Sequence, residues 1–355
     1  MKNIRKTTAL TALGLAVMML AGCAAASADQ SSTKKDDLAE LRLGYFANVT
    51  HAPALVGVSE GILQDELGDT KLKTEVFNAG PAAVEALSAG AIDAAYIGPN
   101  PAINTFIQSG GESANVIAGA TSGGAALVVS DKISDVSDLK GKTLATPQLG
   151  NTQDVALRSW LADEGLKTSV SGGGDVNITP TENAQTLTLF QDGKVDGAWL
   201  PEPWVSRLVV DAGAKVLVDE KDLWKDGNFP TTVLLVRKDF AKEHPEAVDE
   251  LLAGHIASVQ WLDDNPDKAP AVINGALEDA TGKGLSDEVL ARALQNVTFT
   301  VDPHAETFEK LVSNGLAAGT QKKGSIDGLF DLRALNAQLK KDGQEPVSAA
   351  GLGED

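Results

Sequence analysis

Cysteine, histidine and aromatic residues are scarce in this chain. Among its 355 residues are one cysteine and four histidines, and 5% of the residues are aromatic. A single cysteine cannot form an intramolecular disulfide, and the sequence contains neither a CxxC pair nor the HExxH spacing of zinc hydrolases. We therefore predict no metal site and no cofactor, and we expect a protein that is not an enzyme.

Basic residues are outnumbered by acidic ones. The chain has 30 Lys and Arg against 49 Asp and Glu, which gives a formal net charge of −19 at pH 7. Such an acidic surface disfavours nucleic acid as a partner and disfavours adsorption of the folded body to anionic lipid. An anionic ligand would need a locally favourable site to overcome this field.

Long apolar runs are missing except near the start of the chain. Lys2, Arg5 and Lys6 precede an apolar run over 7–20 that is too short to span a bilayer, and Leu-Ala-Gly leads into Cys23. This arrangement resembles the bacterial lipobox. We predict a signal peptide over 1–22, lipid modification of Cys23, a polar tether over 23–37 and a location at the extracytoplasmic face of the cell membrane. The alternative is a cleaved signal peptide with an incidental cysteine.

Short apolar runs alternate with helical stretches from residue 41 onward, which is typical of an α/β domain. The stretches GAIDAAYIGPNP (90–101) and GKVDGAWLPEPW (193–204) also match each other. In each, a helix-ending glycine leads into a strand with an aspartate and an aromatic residue, followed by a proline-rich loop. Asp93 and Asp196 could act as an acid–base pair, but we expect each to anchor a turn. The repeat predicts two lobes of the same architecture.

The order of the elements predicts how the lobes are assembled. We expect a first lobe from 38–127 and 232–345, with a second lobe, 128–231, inserted into it. Each lobe should contain a mixed, largely parallel sheet flanked by helices, and crossings near Ala126 and Thr231 should form a hinge. The long helices after residue 238 should pack against the first lobe, and 346–355 should be frayed.

Ligands of open α/β sheets bind outside the carboxyl ends of the strands. The loops at these ends contain neutral polar residues and lead into helix starts, without Lys or Arg. Helix N-termini attract anions, so we predict a cleft for a small organic anion. In the alternative, each Asn or Thr only caps its own helix. The candidate ligand-binding residues of these loops and of the crossover are Asn48, His51, Asn78, Asn100, Ser122, Gly150, Asn151, Thr152, Glu202 and Trp204.

Four stretches resemble the solute-binding lipoproteins of ABC importers, in the group that binds aliphatic sulfonates, taurine, nitrate or bicarbonate. They are GYFANVTHAPALVG, FNAGPAAVEALSAGAIDAAYIGPNPAI, ATPQLGNTQDVALRSWL and GKVDGAWLPEPW. The resemblance implies a type II periplasmic-binding fold in a monomer that delivers its ligand to a membrane permease driven by a cytoplasmic ATPase. It also implies ligand contacts at Asn48, His51, Asn100, Asn151, Thr152, Glu202 and Trp204.

The sequence leaves the ligand itself open. The absence of cations in the loops suits an aliphatic sulfonate or taurine, whose ammonium group Glu202 could bind. Alternatively, Glu202 faces away from the ligand and only holds the hinge. Nitrate, bicarbonate or a vitamin precursor are the other candidate ligands, and a periplasmic enzyme with the same fold is a further alternative.

Overall fold

The computed structural model describes residues 38–355, so the predictions for 1–22, Cys23 and 23–37 lie outside the described residues. Its strands follow the alternating apolar runs of the sequence. They are β1 Glu40–Phe46, β2 Lys71–Phe77, β3 Ala94–Ile97, β4 Ala114–Gly123, β5 Ala125–Val129, β6 Thr143–Thr146, β7 Asn177–Pro180, β8 Gly197–Pro201, β9 Lys215–Asp219, β10 Pro230–Arg237, β11 Val297–Phe299, β12 Phe330–Asp331 and β13 Gly353–Glu354.

Helices connect most of these strands. They are α1 Ala52–Ser59, α2 Ile62–Leu67, α3 Gly80–Ser88, α4 Pro99–Gln108, α5 Thr152–Asp163, α6 Asn183–Gln191, α7 Trp204–Ala212, α8 Lys238–Glu243, α9 Pro245–Asp264, α10 Ala269–Thr281, α11 Asp287–Gln295, α12 Phe308–Ala317 and α13 Arg333–Lys341. The stretch 52–67 forms two helices, because Gly61 adopts a φ of 75° between them. Within residues 38–355, no helix combines the length and apolar character needed to cross a membrane.

The two sheets repeat one arrangement of four strands. The larger sheet has the order β13-β12-β4-β10-β3-β1-β2 with β11 beside β4, and the smaller has the order β7-β6-β8-β5-β9. In the series β2-β1-β3-β10 and β7-β6-β8-β5, the first three strands are parallel and the fourth is antiparallel. The prediction of two α/β lobes with mixed sheets is confirmed. We call the larger sheet with its helices lobe 1 and the smaller sheet with its helices lobe 2.

Asp93 and Asp196 occupy equivalent places in these series. Asp93 accepts a hydrogen bond from the backbone N–H of Arg42 (2.9 Å), and Asp196 accepts one from that of Thr143 (2.9 Å). Each aspartate therefore ties the start of one strand to the neighbouring parallel strand. This is the anchoring role expected from the sequence, and it leaves the two carboxylates in separate sheets.

Two crossings join the lobes. The chain leaves the larger sheet at the end of β4 and enters the smaller one at β5, through Gly123 (φ 80°) and Gly124 (φ 75°). It returns through 220–229 into β10. The first crossing lies slightly before the predicted Ala126, because only glycine adopts these left-handed angles without strain.

The C-terminal segment contacts both lobes and not only the first. Helix α9 packs on α1 and α2 of lobe 1, whereas α11 packs on α7 and α12 on α5 of lobe 2. The prediction of a frayed tail over 346–355 is wrong. Ala349 and Leu352 are buried in the core of lobe 1, and β13 pairs in parallel with β12. Burial of these apolar side chains fixes the end of the chain.

Candidate ligand-binding cleft

A small polar cavity lies between the lobes at the carboxyl ends of their strands. Its free volume is ≈ 20 Å³, which is about the space of one water molecule. Lobe 1 and lobe 2 both contribute to its wall, and the second crossing adds one residue. The lining residues are Phe46, Asn48, Thr50, His51, Asn78, Ala79, Gly98, Pro147, Asn151, Thr152, Gln153, Asn183, Pro201 and Thr231.

His51 is a neutral hydrogen-bond donor in the lobe 1 wall. Its side chain is buried, and burial lowers the pKa of the imidazole to about 3. Nδ1 accepts a hydrogen bond from the backbone N–H of Phe46 (3.4 Å). The ring proton is therefore on Nε2, which leaves this atom as the donor of a neutral ring.

Helix α5 begins in the opposite wall. Its first intrahelical bond runs from the N–H of Val155 to the carbonyl of Asn151, so the N–H groups of Thr152, Gln153 and Asp154 precede it. Thr152 is 3% exposed, and its hydroxyl has no hydrogen-bond partner among the described residues. A buried hydroxyl without a partner, beside three helix-start N–H groups, is suited to an acceptor that enters the cavity.

Neither Asn151 nor Thr152 caps helix α5. Asn151 is at the N-cap position but makes no side-chain capping bond, and its Oδ1 accepts from the N–H of Gly80 in lobe 1 (3.2 Å). Asp154 instead holds the preceding loop, since its carboxylate accepts from the N–H of Gly150 (2.9 Å). The capping alternative thus does not describe these two residues.

A buried ion pair supports the helix start from behind. The carboxylate of Asp154 accepts from the hydroxyl of Thr146 (2.8 Å) and from Nε of Arg158 (3.0 Å), and both charged side chains are almost fully buried. Arg158 also donates to the carbonyl of Ser169. Because this cation is paired within lobe 2 and does not line the cavity, it positions the loop without acting as a counter-ion for a ligand.

Direct hydrogen bonds join the two lobes around the cavity. Asn78 Nδ2 donates to Glu182 Oε1 (3.0 Å), and Trp204 Nε1 donates to Asn48 Oδ1 (2.8 Å). Gly98 lies so close to Thr152 that a Cβ atom at position 98 would collide with the threonine hydroxyl. The cleft is therefore closed, and a ligand larger than water enters only when the lobes separate.

A second, larger cavity adjoins the first. It has a volume of ≈ 360 Å³ and shares Asn48, Asn78 and Asn183 with the small cavity. Trp204 lines the larger cavity. Five of the ten candidates thus line the small cavity, namely Asn48, His51, Asn78, Asn151 and Thr152, and Trp204 joins Asn48 and Asn78 in the larger one.

Four candidates do not line either cavity. Asn100 is buried and donates to the carbonyl of Leu311 (3.3 Å), whereas the hydroxyl of Ser122 donates to the carbonyl of Phe229 (3.0 Å). Gly150 (φ 77°) shapes the loop before α5 through its bond to Asp154. The structure therefore uses these three residues for packing, for the second crossing and for loop geometry.

Glu202, the fourth, is turned toward the C-terminal segment. It is 1% exposed, and its carboxylate accepts from Asn296 Nδ2 (2.7 Å), Ser206 N–H (3.0 Å) and Arg292 Nη1 (3.3 Å). Burial raises the pKa of this carboxyl group, although these hydrogen bonds oppose the shift. Of the two alternatives left by the sequence, the geometry matches the one in which Glu202 holds the hinge.

Several residues that line the small cavity are not among the ten candidates. Asn183 begins α6 directly after β7, and its Oδ1 is buried without a partner in the part of the chain that the structure describes. The rule that placed the site at the carboxyl ends of the strands also selects the loop between β7 and α6. Gln153 and Thr231, neighbours of residues that were considered, line the cavity as well.

Two mixed α/β sheets, two crossings and a cleft at the strand ends define a periplasmic-binding-protein fold. The alkanesulfonate-binding protein SsuA from Xanthomonas axonopodis pv. citri, solved bound to MOPS, has this fold with a TM-score of 0.66 and 22% identity, over 80% of this chain and 95% of that chain. The chain belongs to the NMT1-like family, whose model matches residues 34–275.

Binding proteins for sulfonates and taurine are among the relatives of this chain. The chain is 26% identical to a putative aliphatic sulfonates-binding protein of Bacillus subtilis, over 93% of this chain and 92% of the relative. It is 31% identical to the taurine-binding periplasmic protein of Escherichia coli, over 61% of this chain and 64% of the relative. The resemblance noted in the sequence is confirmed.

Proposed function

We propose that this protein is an extracytoplasmic substrate-binding protein of an ABC importer that captures a small organic anion, foremost an aliphatic sulfonate, between its lobes. The observation that carries the proposal is the unpartnered hydroxyl of Thr152 at the start of α5, in a cavity that also contains the neutral imidazole of His51. The relatives named for sulfonate and taurine binding support the same role.

The donors of the cleft suit an oxyanion that stays ionised. His51 Nε2, Thr152 Oγ1 and the first N–H groups of α5 are neutral donors, and no Lys or Arg is among the residues that line the small cavity. Each hydrogen bond to a charged acceptor contributes about 1.5–3 kcal/mol, and closure strengthens it by excluding water. A sulfonate provides three acceptor oxygens and no donor, which matches this set.

The position of Glu202 favours a simple sulfonate over taurine. Its carboxylate is occupied by Ser206, Arg292 and Asn296, so it is not available to an ammonium group. The nearest carboxylate at the cleft is Glu182, which binds Asn78 across the lobes at the edge of the larger cavity. We therefore rank an aliphatic sulfonate first, taurine second, and nitrate, bicarbonate or a vitamin precursor after them.

Binding requires motion at the crossings. Rotation about Gly123 and Gly124 would separate the walls, and the ligand head group would then replace direct lobe–lobe bonds such as that of Gly80 to Asn151. The closed, ligand-bound form would dock on the permease, as a monomer, and release the ligand unchanged. Incubation with each bound anion followed by mass spectrometry should recover the anion intact, and a converted product would indicate an enzyme.

Calorimetric titration with methanesulfonate, ethanesulfonate, taurine, nitrate and bicarbonate tests the proposal. We expect the sulfonates to bind most tightly, with an affinity that is constant between about pH 5 and 8, because His51 stays neutral and a sulfonate stays ionised over this range. Absence of binding by every anion would contradict the proposed function. A sulfonate affinity that rises steeply toward pH 5 would contradict the assignment of neutral donors.

We also propose that the protein is anchored through a lipid on Cys23. The lipobox-like sequence before Cys23 and the polar residues after it support this anchor. The variant Cys23→Ser should lose metabolic labelling with a palmitate analogue and leave the membrane fraction or remain unprocessed. A processed Cys23→Ser protein that still sediments with membranes would contradict the anchor.

A further inference from the structure

The larger cavity adjoins the polar cavity and has a different lining. Its volume of ≈ 360 Å³ is within the usual range for a ligand pocket, and it exceeds the about 150 Å³ that accommodates a benzene ring. Three residues with amide side chains, Asn48, Asn78 and Asn183, line both cavities and so form the wall that the two cavities share.

Apolar groups form much of the remaining wall of the larger cavity. Phe77 comes from the end of β2, Trp204 from the start of α7, and Leu277, Ala280 and Leu285 from α10 and the loop that follows it. Trp204 is held in place, because its Nε1 donates to Asn48 Oδ1 and the guanidinium of Arg207 lies 4.7 Å from the centre of its ring. Glu182, Arg207 and Lys283 also line the cavity, so charged groups lie beside this apolar surface. The apolar part of the wall is complementary to an apolar group of a ligand.

Part of this wall is outside the region that defines the family. The family match ends at residue 275, whereas Leu277, Ala280 and Leu285 follow it. The polar cavity is built from residues within the matched region. The apolar wall is therefore built partly from residues that the family match does not include.

We propose that the larger cavity binds the apolar group of the same ligand whose anionic head occupies the small cavity. This inference rests on the proposed function and narrows it. The preferred ligand is an organic oxyanion, foremost a sulfonate, with an aromatic ring or an apolar chain of about six or more carbons. Leu277, Ala280 and Leu285 determine this specificity, and nitrate, bicarbonate and methanesulfonate use only the head-group cavity.

Titration of the wild-type protein with benzenesulfonate, hexanesulfonate and methanesulfonate tests the proposal. Burial of a ring or a six-carbon chain should make the two larger ligands bind about tenfold to a hundredfold more tightly than methanesulfonate. Equal affinity for all three would overturn the inference but leave the proposed function standing. Absence of binding by all three, and by the smaller anions, would overturn both.

Two variants locate the apolar group. Ala280 lines the larger cavity and not the small one, so Ala280→Phe takes up space in the larger cavity, and the preference for benzenesulfonate over methanesulfonate should fall about tenfold or more. Ala271→Phe places the same side chain at an exposed position on the same helix, outside the cavity lining, and should keep the wild-type preference. A preference that is unchanged in Ala280→Phe, or lost equally in both variants, would overturn the assignment.

Discussion

In both lobes, three strands of the repeated series end in loops at the cleft, and equivalent loops face each other. The loop after β1 contributes His51 and the loop after β6 contributes Thr152. The loops after β2 and β7 meet through the hydrogen bond from Asn78 to Glu182. The loops after β3 and β8 differ from these, because their polar side chains turn away from the cavity.

That third pair of loops binds the C-terminal segment. Asn100 follows β3 and donates to the carbonyl of Leu311 in α12, and Glu202 follows β8 and accepts from Arg292 in α11. The two lobes thus share one backbone arrangement, but their loops have two different roles. In the proposed function the first pair supplies donors to the ligand, whereas the third pair attaches both lobes to one helical segment. Substitutions in the two pairs should therefore change different measured quantities.

The largest expected effect is on stability, at the third pair of loops. Glu202→Ala leaves Arg292 and Asn296 without their carboxylate partner, and we expect the free energy of unfolding to fall by about 2–3 kcal/mol. This is below the range for a fully buried pair because Arg292 is partly exposed. Asn100→Ala, which removes one neutral hydrogen bond, should cost about 1 kcal/mol or slightly more.

Urea unfolding of the two variants measures this difference. The assigned role of Glu202 would be contradicted if Glu202→Ala kept the wild-type stability but lost sulfonate affinity. In that case Glu202 would contact the ligand, and the third pair of loops would bind ligand as the first pair does.

A smaller effect is expected where the lobes approach each other most closely. In Gly98→Ala, the added Cβ would collide with the hydroxyl of Thr152, so the closed form is disfavoured and affinity should fall about tenfold. Gly275→Ala is the matched control, since a Cβ there has no atom within 4 Å and the residue is in the middle of α10. The control should bind as the wild type does and gain some stability. Calorimetry that shows equal affinity in both variants would argue against closure over the ligand.

A third effect concerns the pH dependence of stability, which has opposite signs in the two lobes. In lobe 1, burial lowers the pKa of His51 to about 3, so the unfolded chain binds the additional proton below about pH 6.5 and stability falls on acidification. In lobe 2, burial raises the pKa of Glu220 to about 7, although Trp199 and Lys310 oppose the shift and Asp219 adds to it. The folded state binds that proton between the unfolded value near 4.5 and pH 7, so this contribution is lost as pH rises through 7.

Urea unfolding between pH 5 and 6.5 separates the two signs. His51→Gln should make the decline of stability toward acid shallower, by up to about 1.4 kcal/mol per pH unit, and Glu220→Gln should make it steeper by a similar amount. A change of slope in the same direction for both variants would contradict the assigned protonation states.

Much of the fold followed from local patterns in the sequence. The alternation of apolar runs with helical stretches indicated the α/β class, and the two stretches with an aspartate and an aromatic residue revealed the repeat. Strand β5 and the pairing of β13 with β12 were not predicted, because pairing depends on partners far along the chain. The end of the chain is ordered by its burial against lobe 1, and the composition of 346–355 does not reveal this.

The position of the small cavity at the strand ends followed from the sequence, and Asn100 and Glu202 lie outside its lining for one physical reason. The sequence shows that Asn100 and Glu202 follow strands, but it does not show which way their side chains point. Their partners Leu311 and Arg292 are 211 and 90 residues away along the chain. In contrast, His51 follows β1 and Thr152 follows β6. The strand order alone places the loops after these two strands at the cleft.

The most direct test of the central claim compares two threonines. Thr152 and Thr121 both carry a buried hydroxyl without a partner among residues 38–355, but only Thr152 lines the cavity. Valine at either position preserves shape and removes the hydroxyl, so neither variant should lose stability. Titration with the sulfonate that binds the wild type most tightly should show a loss of about tenfold to a hundredfold in Thr152→Val and none in Thr121→Val. Wild-type affinity in Thr152→Val, with the fold intact, would contradict the claim that the start of α5 binds the anion.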